Sequence, residues 1–263
     1  MPADTLIALC IPMGLTALLA EAHLRTDLQD AEAPLACSYP ATSRLIQPHH
    51  VQELSQKGIV VIPAAISPKS IHAARQGIRS LRNSMEASAN DADVRQDSIV
   101  WIQDQDKDGQ GVINVSGEDH LVHCVRLVRG VEHALEEAGY DTPLSHRVPQ
   151  QCQLAFYPGN RLASYQRHLD TCTSTLYDLG LLEWMRLSDY RQRAITVILY
   201  LNEPDRPTVA GGALRCWVDD EDSFDVAPKG GTLVIFQSDK VEHMVLPSLV
   251  DRYALTSWVS GRK

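Results

Sequence analysis

Near residue 140 the hydrophobic pattern of this chain changes period, and that change limits what the chain can fold into. From Glu118 to Ala138 the apolar residues Leu121, Val125, Val128, Val131 and Leu135 recur at helical spacing, with Gly139 as the stop. Beyond it come short runs: Leu154 to Tyr157, Ala194 to Asn202, Ala213 to Val218, Thr232 to Gln237 and Arg252 to Ser260. Each is rich in Val, Ile, Leu, Tyr or Trp and bounded by Gly, Pro or Asp clusters. A helical support followed by an all-β core is expected, an α+β chain.

The helical half has its own punctuation. Val51 to Lys57 reads as a short helix closed by Gly58, followed by a buried strand run Ile59 to Ile62 that Pro63 stops. Ser67 is the expected N-cap of the next helix, with Pro68 at its first position and Ile71, Ala74, Ile78 and Leu81 on one face, packed on a sheet. Asn83 to Asp93 and Asp104 to Gly111 read as polar loops. Asp104 to Gly111 is superficially similar to a calcium loop but lacks the twelfth-position glutamate, and is expected to be a solvated turn. Residues 1–50 are Pro- and Ala-rich without sustained periodicity, so they form an extension, disordered or targeting, ahead of a folded domain at 51–263.

Composition narrows the partners. With 44% apolar and 22% charged residues among 263 the chain can build a sizeable core, and a net charge of −9 argues against a broad basic surface for nucleic acid. The six cysteines, Cys10, Cys37, Cys124, Cys152, Cys172 and Cys216, form no C-x-x-C pair and read as reduced, semi-buried thiols. Leu6 to Ala20 is apolar but too short to span a bilayer comfortably, and Pro12 and Gly14 interrupt it. No stable membrane span is expected, and the location is expected to be cytoplasmic or nuclear. The alternative is the secretory pathway, if residues 6–22 act as a signal, against which stand Asp4 and the missing basic n-region.

Three residues carry the chemistry. On an extended segment His168 and Asp170 point to the same side, and His243 follows the strand run Thr232 to Gln237. Two histidines and one carboxylate on one face of a metal leave the opposite positions open, which suits non-haem Fe(II) and oxygen rather than a closed structural zinc site. Nine positions after His243, Arg252 shares a strand face with Ala254, Thr256 and Trp258, so its guanidinium points inward and needs an anion. That anion is either a bidentate carboxylate ligand or a structural acid such as Asp219 or Glu203. Tyr200 shares a face with Ile198 and Thr196, which brings its hydroxyl near Arg252.

From Val51 onward the chain resembles the Fe(II)- and 2-oxoglutarate-dependent prolyl 4-hydroxylases, most closely the oxygen-sensing branch that modifies hypoxia-inducible factor. The resemblance lies in AFYPGNRLASYQRHLD (Ala155 to Asp170), TVILYLN (Thr196 to Asn202), AGGALRCW (Ala210 to Trp217) and EHMVLPSLVDRYALTSW (Glu242 to Trp258). VRQDSIVWI (Val94 to Ile102) is similar to that branch's entrance to the active site. It implies a double-stranded β-helix, a jelly-roll barrel at about 150–260 with supporting N-terminal helices. By the same resemblance His168, Asp170 and His243 bind Fe(II), while Arg252 and Tyr200 hold the distal carboxylate of 2-oxoglutarate. Tyr157, Tyr165, Leu214 and Val245 line or support that pocket, and Arg95, Asp97 and Trp258 lie near a peptide substrate.

The implied reaction consumes O2 and 2-oxoglutarate, releases succinate and CO2, and hydroxylates a prolyl residue of a protein or peptide, with ascorbate as reductant. The alternatives are the same chemistry on a secretory proline-rich protein or a small molecule, a barrel that only binds metal or peptide, and a zinc or manganese cupin. One departure stands out. Thr171 to Arg193, with Leu181, Leu182, Trp184, Met185 and Leu187, is longer than the connection expected after His-X-Asp, and is expected to alter substrate choice.

Overall fold

The period change marks a real boundary between helices and sheets. In the computed structural model the described residues are 40–88, 93–103, 112–114, 120–141, 144, 151–159, 162–171, 192–218 and 222–261. Helices come first: α1 (Pro40–Leu45), α2 (Pro48–Lys57), α3 (Pro68–Leu81), α4 (His120–Arg129) and α5 (Val131–Glu137). Among them run β1 (Ile59–Ile62), β2 (Glu86–Ala87), β3 (Ser98–Gln103) and β4 (Val112–Asn114). The rest is strands: β5 (Cys152–Tyr157), β6 (Tyr165–His168), β7 (Arg193–Tyr200), β8 (Leu214–Trp217), β9 (Ser223–Val226), β10 (Leu233–Gln237), β11 (Glu242–Val245) and β12 (Arg252–Ser260).

The larger sheet runs β1-β10-β7-β12-β5-β3-β2, with β4 parallel to β3, and the smaller runs β6-β11-β8-β9. This is the expected jelly roll on a helical support. Alternation along the central strands creates two cores, one on each face of the larger sheet. Leu154 and Phe156 of β5, Val197 and Leu199 of β7, Ile235 of β10 and Leu255 of β12 pack with Leu121, Val125 and Val128 of α4 and Ile78 of α3. Their neighbours Ala155, Tyr157, Ile198, Tyr200, Val234, Phe236 and Ala254 face the smaller sheet, against Leu214, Cys216 and Val245.

The local signals hold where they were strongest. Gly58 closes α2 in the left-handed region at φ 75°, donating its N–H to Leu54, and the Ser67 hydroxyl caps α3 by accepting from Ser70 N–H at 3.1 Å. Two expectations need correcting. Folding begins before Val51, because α1 and α2 start at Pro40 and Pro48, Ile46 is buried, and the Thr42 hydroxyl donates to the Leu127 carbonyl at 3.3 Å. The single helix expected over Glu118 to Ala138 is two. The chain turns at Gly130, whose missing side chain offers the helix neither packing nor propensity. The stretch Val94 to Ile102, which carried no element assignment, supplies most of β3, paired to β5 inside the larger sheet.

Cys124, Cys152 and Cys216 are buried, more deeply than expected, and no disulfide joins any of them to another described residue. Among the described residues no helix is long and apolar enough to cross a membrane. Residues 1–39, the loop 104–111, Asp219 and positions 172–191 of the long connection lie outside the described residues.

Candidate active site

In the smaller sheet β6 and β11 are antiparallel neighbours, and their register sets His168 directly opposite His243. Asp170 follows just past the end of β6, and the ligand atoms of all three lie within 4.8 Å of one another. His168 Nε2 is 3.6 Å from Asp170 Oδ1, and His243 Nε2 is 3.7 Å from Oδ2. The far side of each imidazole is tied to backbone: His168 Nδ1 lies 2.7 Å from the Gln166 carbonyl and His243 Nδ1 3.2 Å from that of Val241. A carbonyl only accepts, so each Nδ1 carries the proton and each Nε2 keeps its lone pair for the shared centre.

Protonation states suit the same purpose. Burial drives the pKa of His243 down to about 4, so it is neutral, and able to ligate, at ordinary pH. Burial alone would favour the protonated form of Asp170. Attraction to the protonated form of His243, with His168 and Arg193 adding to it, outweighs burial and holds the carboxyl well below the usual carboxylate range, so Asp170 is ionised wherever His243 is neutral. Asp170 Oδ2 also accepts from Thr196 Oγ1 at 2.8 Å and from the Trp258 indole N–H at 3.1 Å. Thr196 spends its one hydroxyl proton on Asp170, so Ser238, 2.8 Å away, donates to Thr196.

Trp258 therefore braces a ligand carboxylate as well as lining the cavity. Replacing Thr196 by Val removes one of the two neutral donors on Asp170 and should weaken metal affinity about tenfold. Titration of the apoprotein with Mn(II) under anaerobic conditions checks this, and unchanged affinity would remove Thr196 from the metal's support.

Beside the triad a cavity is lined by Tyr157, Leu214, Ile198, Val245, Ala254 and Arg252. Arg252 is only 1% exposed. Its Nε donates to the Gly212 carbonyl at 2.9 Å, its Nη2 lies 3.4 Å from the Tyr200 hydroxyl, and its plane sits over the Tyr157 ring, 4.8 Å from the centroid. No carboxylate among the described residues pairs with it. Glu203 is taken by Arg75 at 2.8 Å. A buried guanidinium served by one carbonyl and a long phenol contact calls for an anion in the cavity. Two neutral imidazoles with one carboxylate suit a divalent iron, and Arg252 suits the far carboxylate of a 2-oxo dicarboxylic acid, so the residues present fit both groups.

The remaining expected residues are placed less uniformly. Tyr165 lines the cavity and stacks on His168, with ring centroids 3.8 Å apart. Tyr200 is fully enclosed and touches Arg252 without lining the cavity, and burial pushes its hydroxyl pKa up to about 12, which keeps it a donor. Arg95 lies over the Tyr165 ring, 4.8 Å from its centroid, and donates to Asp97 at 2.5 and 2.8 Å and to Gln153 at 2.7 Å. The Asp97 side chain is 0% exposed, so it faces Arg95 and not the opening, while Arg95 lines the cavity. Sequence reading assigned no role to Thr196, Ser238 or Gln153. Thr196 could have been found from its shared face with Ile198 and Tyr200. Nothing local marks Ser238.

Fold and site together define a class: a jelly-roll barrel whose two histidines and one carboxylate could hold a single metal ion and leave positions open, the donor set that suits non-haem iron. Residues 152–260 match the family model of the 2OG-Fe(II) oxygenase superfamily.

The chain is 28% identical over 177 residues to Egl nine homolog 1 of Rattus norvegicus, a match covering 66% of this chain and 44% of that protein. It thus spans less than half the length of the curated relatives it matches. Among solved structures it is similar to a Pseudomonas putida prolyl-4-hydroxylase, with TM-score 0.61 and 25% identity, covering 82% of this chain and 98% of that one. It also shares its fold with a prolyl hydroxylase from Trichoplax adhaerens in complex with a peptide fragment of the hypoxia inducible factor oxygen degradation domain. There the TM-score is 0.61 and the identity 20%, with 84% and 91% of the two chains covered.

Proposed function

We propose that this chain hydroxylates a prolyl residue of a protein, giving 4-hydroxyproline, with Fe(II), O2 and 2-oxoglutarate. The observation that carries the reading is the buried Arg252 guanidinium, which no carboxylate among the described residues pairs with, on the same cavity as the His168, Asp170 and His243 side chains. Iron, O2 and 2-oxoglutarate together supply the oxidation, in which 2-oxoglutarate becomes succinate and CO2 and a C–H bond becomes C–OH. The protein's part is positional. His168, Asp170 and His243 hold the metal on one side, Arg252 and Tyr200 receive the far carboxylate, and the apolar walls Leu214, Ile198 and Val245 limit water.

The relatives named as prolyl hydroxylases support proline as the target, and a likeness to a hypoxia-inducible factor prolyl hydroxylase of Caenorhabditis elegans, 27% identical over 189 residues, supports a protein substrate and an oxygen-sensing setting. Ascorbate is the reductant we assign, to return oxidised iron to Fe(II). The test is anaerobic loading with Fe(II) and 2-oxoglutarate followed by oxygen and a proline-containing peptide library, reading succinate and mass gain. An oxygen atom gained at proline is the expected result. Succinate without any modified peptide would overturn the peptidyl substrate, and no succinate from iron-loaded protein would overturn the oxygenase reading.

Arg95 and Asp97 are assigned to the peptide's approach. Asp97→Ala frees Arg95 from its two-bond clamp, and is expected to lower peptide turnover on the order of tenfold while changing peptide-independent succinate release less than about twofold. Equal losses in both rates would count against an entrance role.

A further inference from the structure

Arg206 is a second buried guanidinium with no carboxylate partner among the described residues, and nothing in the reaction above uses it. It lies between β7 and β8, is 6% exposed, and spends its terminal nitrogens on the turn beside the cavity. Nη1 donates to the Asp251 carbonyl at 2.8 Å. Nη2 reaches the Ser248 hydroxyl at 2.8 Å, the Gly211 carbonyl at 3.2 Å and the Val250 carbonyl at 3.4 Å. Its Nε is buried with no hydrogen-bond partner. Asp251, whose backbone carbonyl Arg206 holds, turns its carboxylate elsewhere, to Arg82 at 3.3 Å and to the Gly159 N–H at 3.2 Å.

What Arg206 clamps is the seat of Arg252. Gly211 bridges to Ser248, the Gly212 N–H donates to the Pro247 carbonyl at 2.9 Å, and the Gly212 carbonyl accepts from Arg252 Nε at 2.9 Å. Gly212 takes φ 74°, and a Cβ on it would stand 2.7 Å from the Ser248 hydroxyl and 3.1 Å from Arg252 Cδ. Ser248 and the Arg252 stem thus both crowd Gly212, and Arg206 ties the Gly211 carbonyl to the Ser248 hydroxyl beside it. A planar fork suits this task because its donors diverge at fixed angles toward several acceptors.

We propose that Arg206 is a positioning residue for the co-substrate's far carboxylate. By joining Gly211 to residues 248–251 it fixes the Gly212 carbonyl, and that carbonyl holds Arg252 by Nε, leaving the terminal nitrogens to the carboxylate. The inference rests on the functional reading above.

The test is calorimetric titration of 2-oxoglutarate into the Mn(II)-loaded full chain without oxygen, with Mn(II) affinity measured separately by electron paramagnetic resonance. Arg206→Gln and Arg206→Lys should both bind 2-oxoglutarate about tenfold more weakly, with Mn(II) affinity kept, and in turnover KM should rise while kcat at saturation stays. Wild-type affinity in Arg206→Gln would overturn the proposal. Wild-type affinity in Arg206→Lys alone would also do so, since charge and not the fork would then be acting. If neither folds, Ser248→Ala, which removes one acceptor of the clamp, should weaken binding about threefold, and unchanged binding there counts against it equally. A wild-type chain that binds Mn(II) but no 2-oxoglutarate would instead overturn the functional reading beneath it.

Discussion

His243→Ala, purified as the full chain and titrated anaerobically with Fe(II) or Mn(II), is expected to lose metal affinity by more than about 100-fold, beyond what loss of a supporting group does. His243 is 4% exposed, its Nδ1 is committed to Val241, and its Nε2 is one of three converging donors. Alanine removes that donor from a buried wall in which Phe236 packs edge-on against the ring, with centroids 4.8 Å apart. The contrast with Thr196→Val separates the two kinds of group, since the first removes a bond to the metal and the second only loosens Asp170. Retention of metal within about tenfold of wild type would show that the triad is not the primary site.

Arg252→Lys should leave metal binding intact and weaken 2-oxoglutarate binding by about 100-fold, or about 2.7 kcal/mol. Lysine keeps the positive charge but gives up the planar pair of donors, and its ammonium has no Nε to rest on the Gly212 carbonyl. The Tyr157 and Tyr200 rings that flank the guanidinium, with centroids 4.8 and 5.0 Å away, would face a smaller group and leave a gap. Calorimetry on the Mn(II)-loaded variant measures the change. Undiminished co-substrate affinity would refute the role assigned to Arg252 and with it much of the case for a dicarboxylate.

Much of this site was legible in the sequence because its residues obey a strict two-residue period. Arg252, Ala254, Thr256 and Trp258 all line the cavity, as a single strand face requires, and Ile198 does so on the strand that also carries Thr196 and Tyr200. Legibility failed where strands are short and polar. β6 reads Tyr-Gln-Arg-His and β9 reads Ser-Phe-Asp-Val, with little apolar alternation, because much of their side-chain surface stays wet and the pairing partner supplies the order. It also failed for contacts made across the fold. Ser238 reaches Thr196 from a turn 42 residues away, and Arg206 reaches residues 248–251 over a similar separation. Neither has a local pattern that distinguishes it from an ordinary polar residue.

Because β12 alternates between two cores, chemistry and scaffold are threaded through the same nine residues, one position apart. A single inserted or deleted residue within it would turn Tyr253, Leu255 and Val259 toward the cavity and bury Arg252 among the helices, exchanging both faces at once. Such a strand can drift in side-chain identity but not in length. Variation in length is left to the connections, and the one that leaves β6 begins beside Asp170. A change in that connection leaves the strand that carries Arg252 untouched.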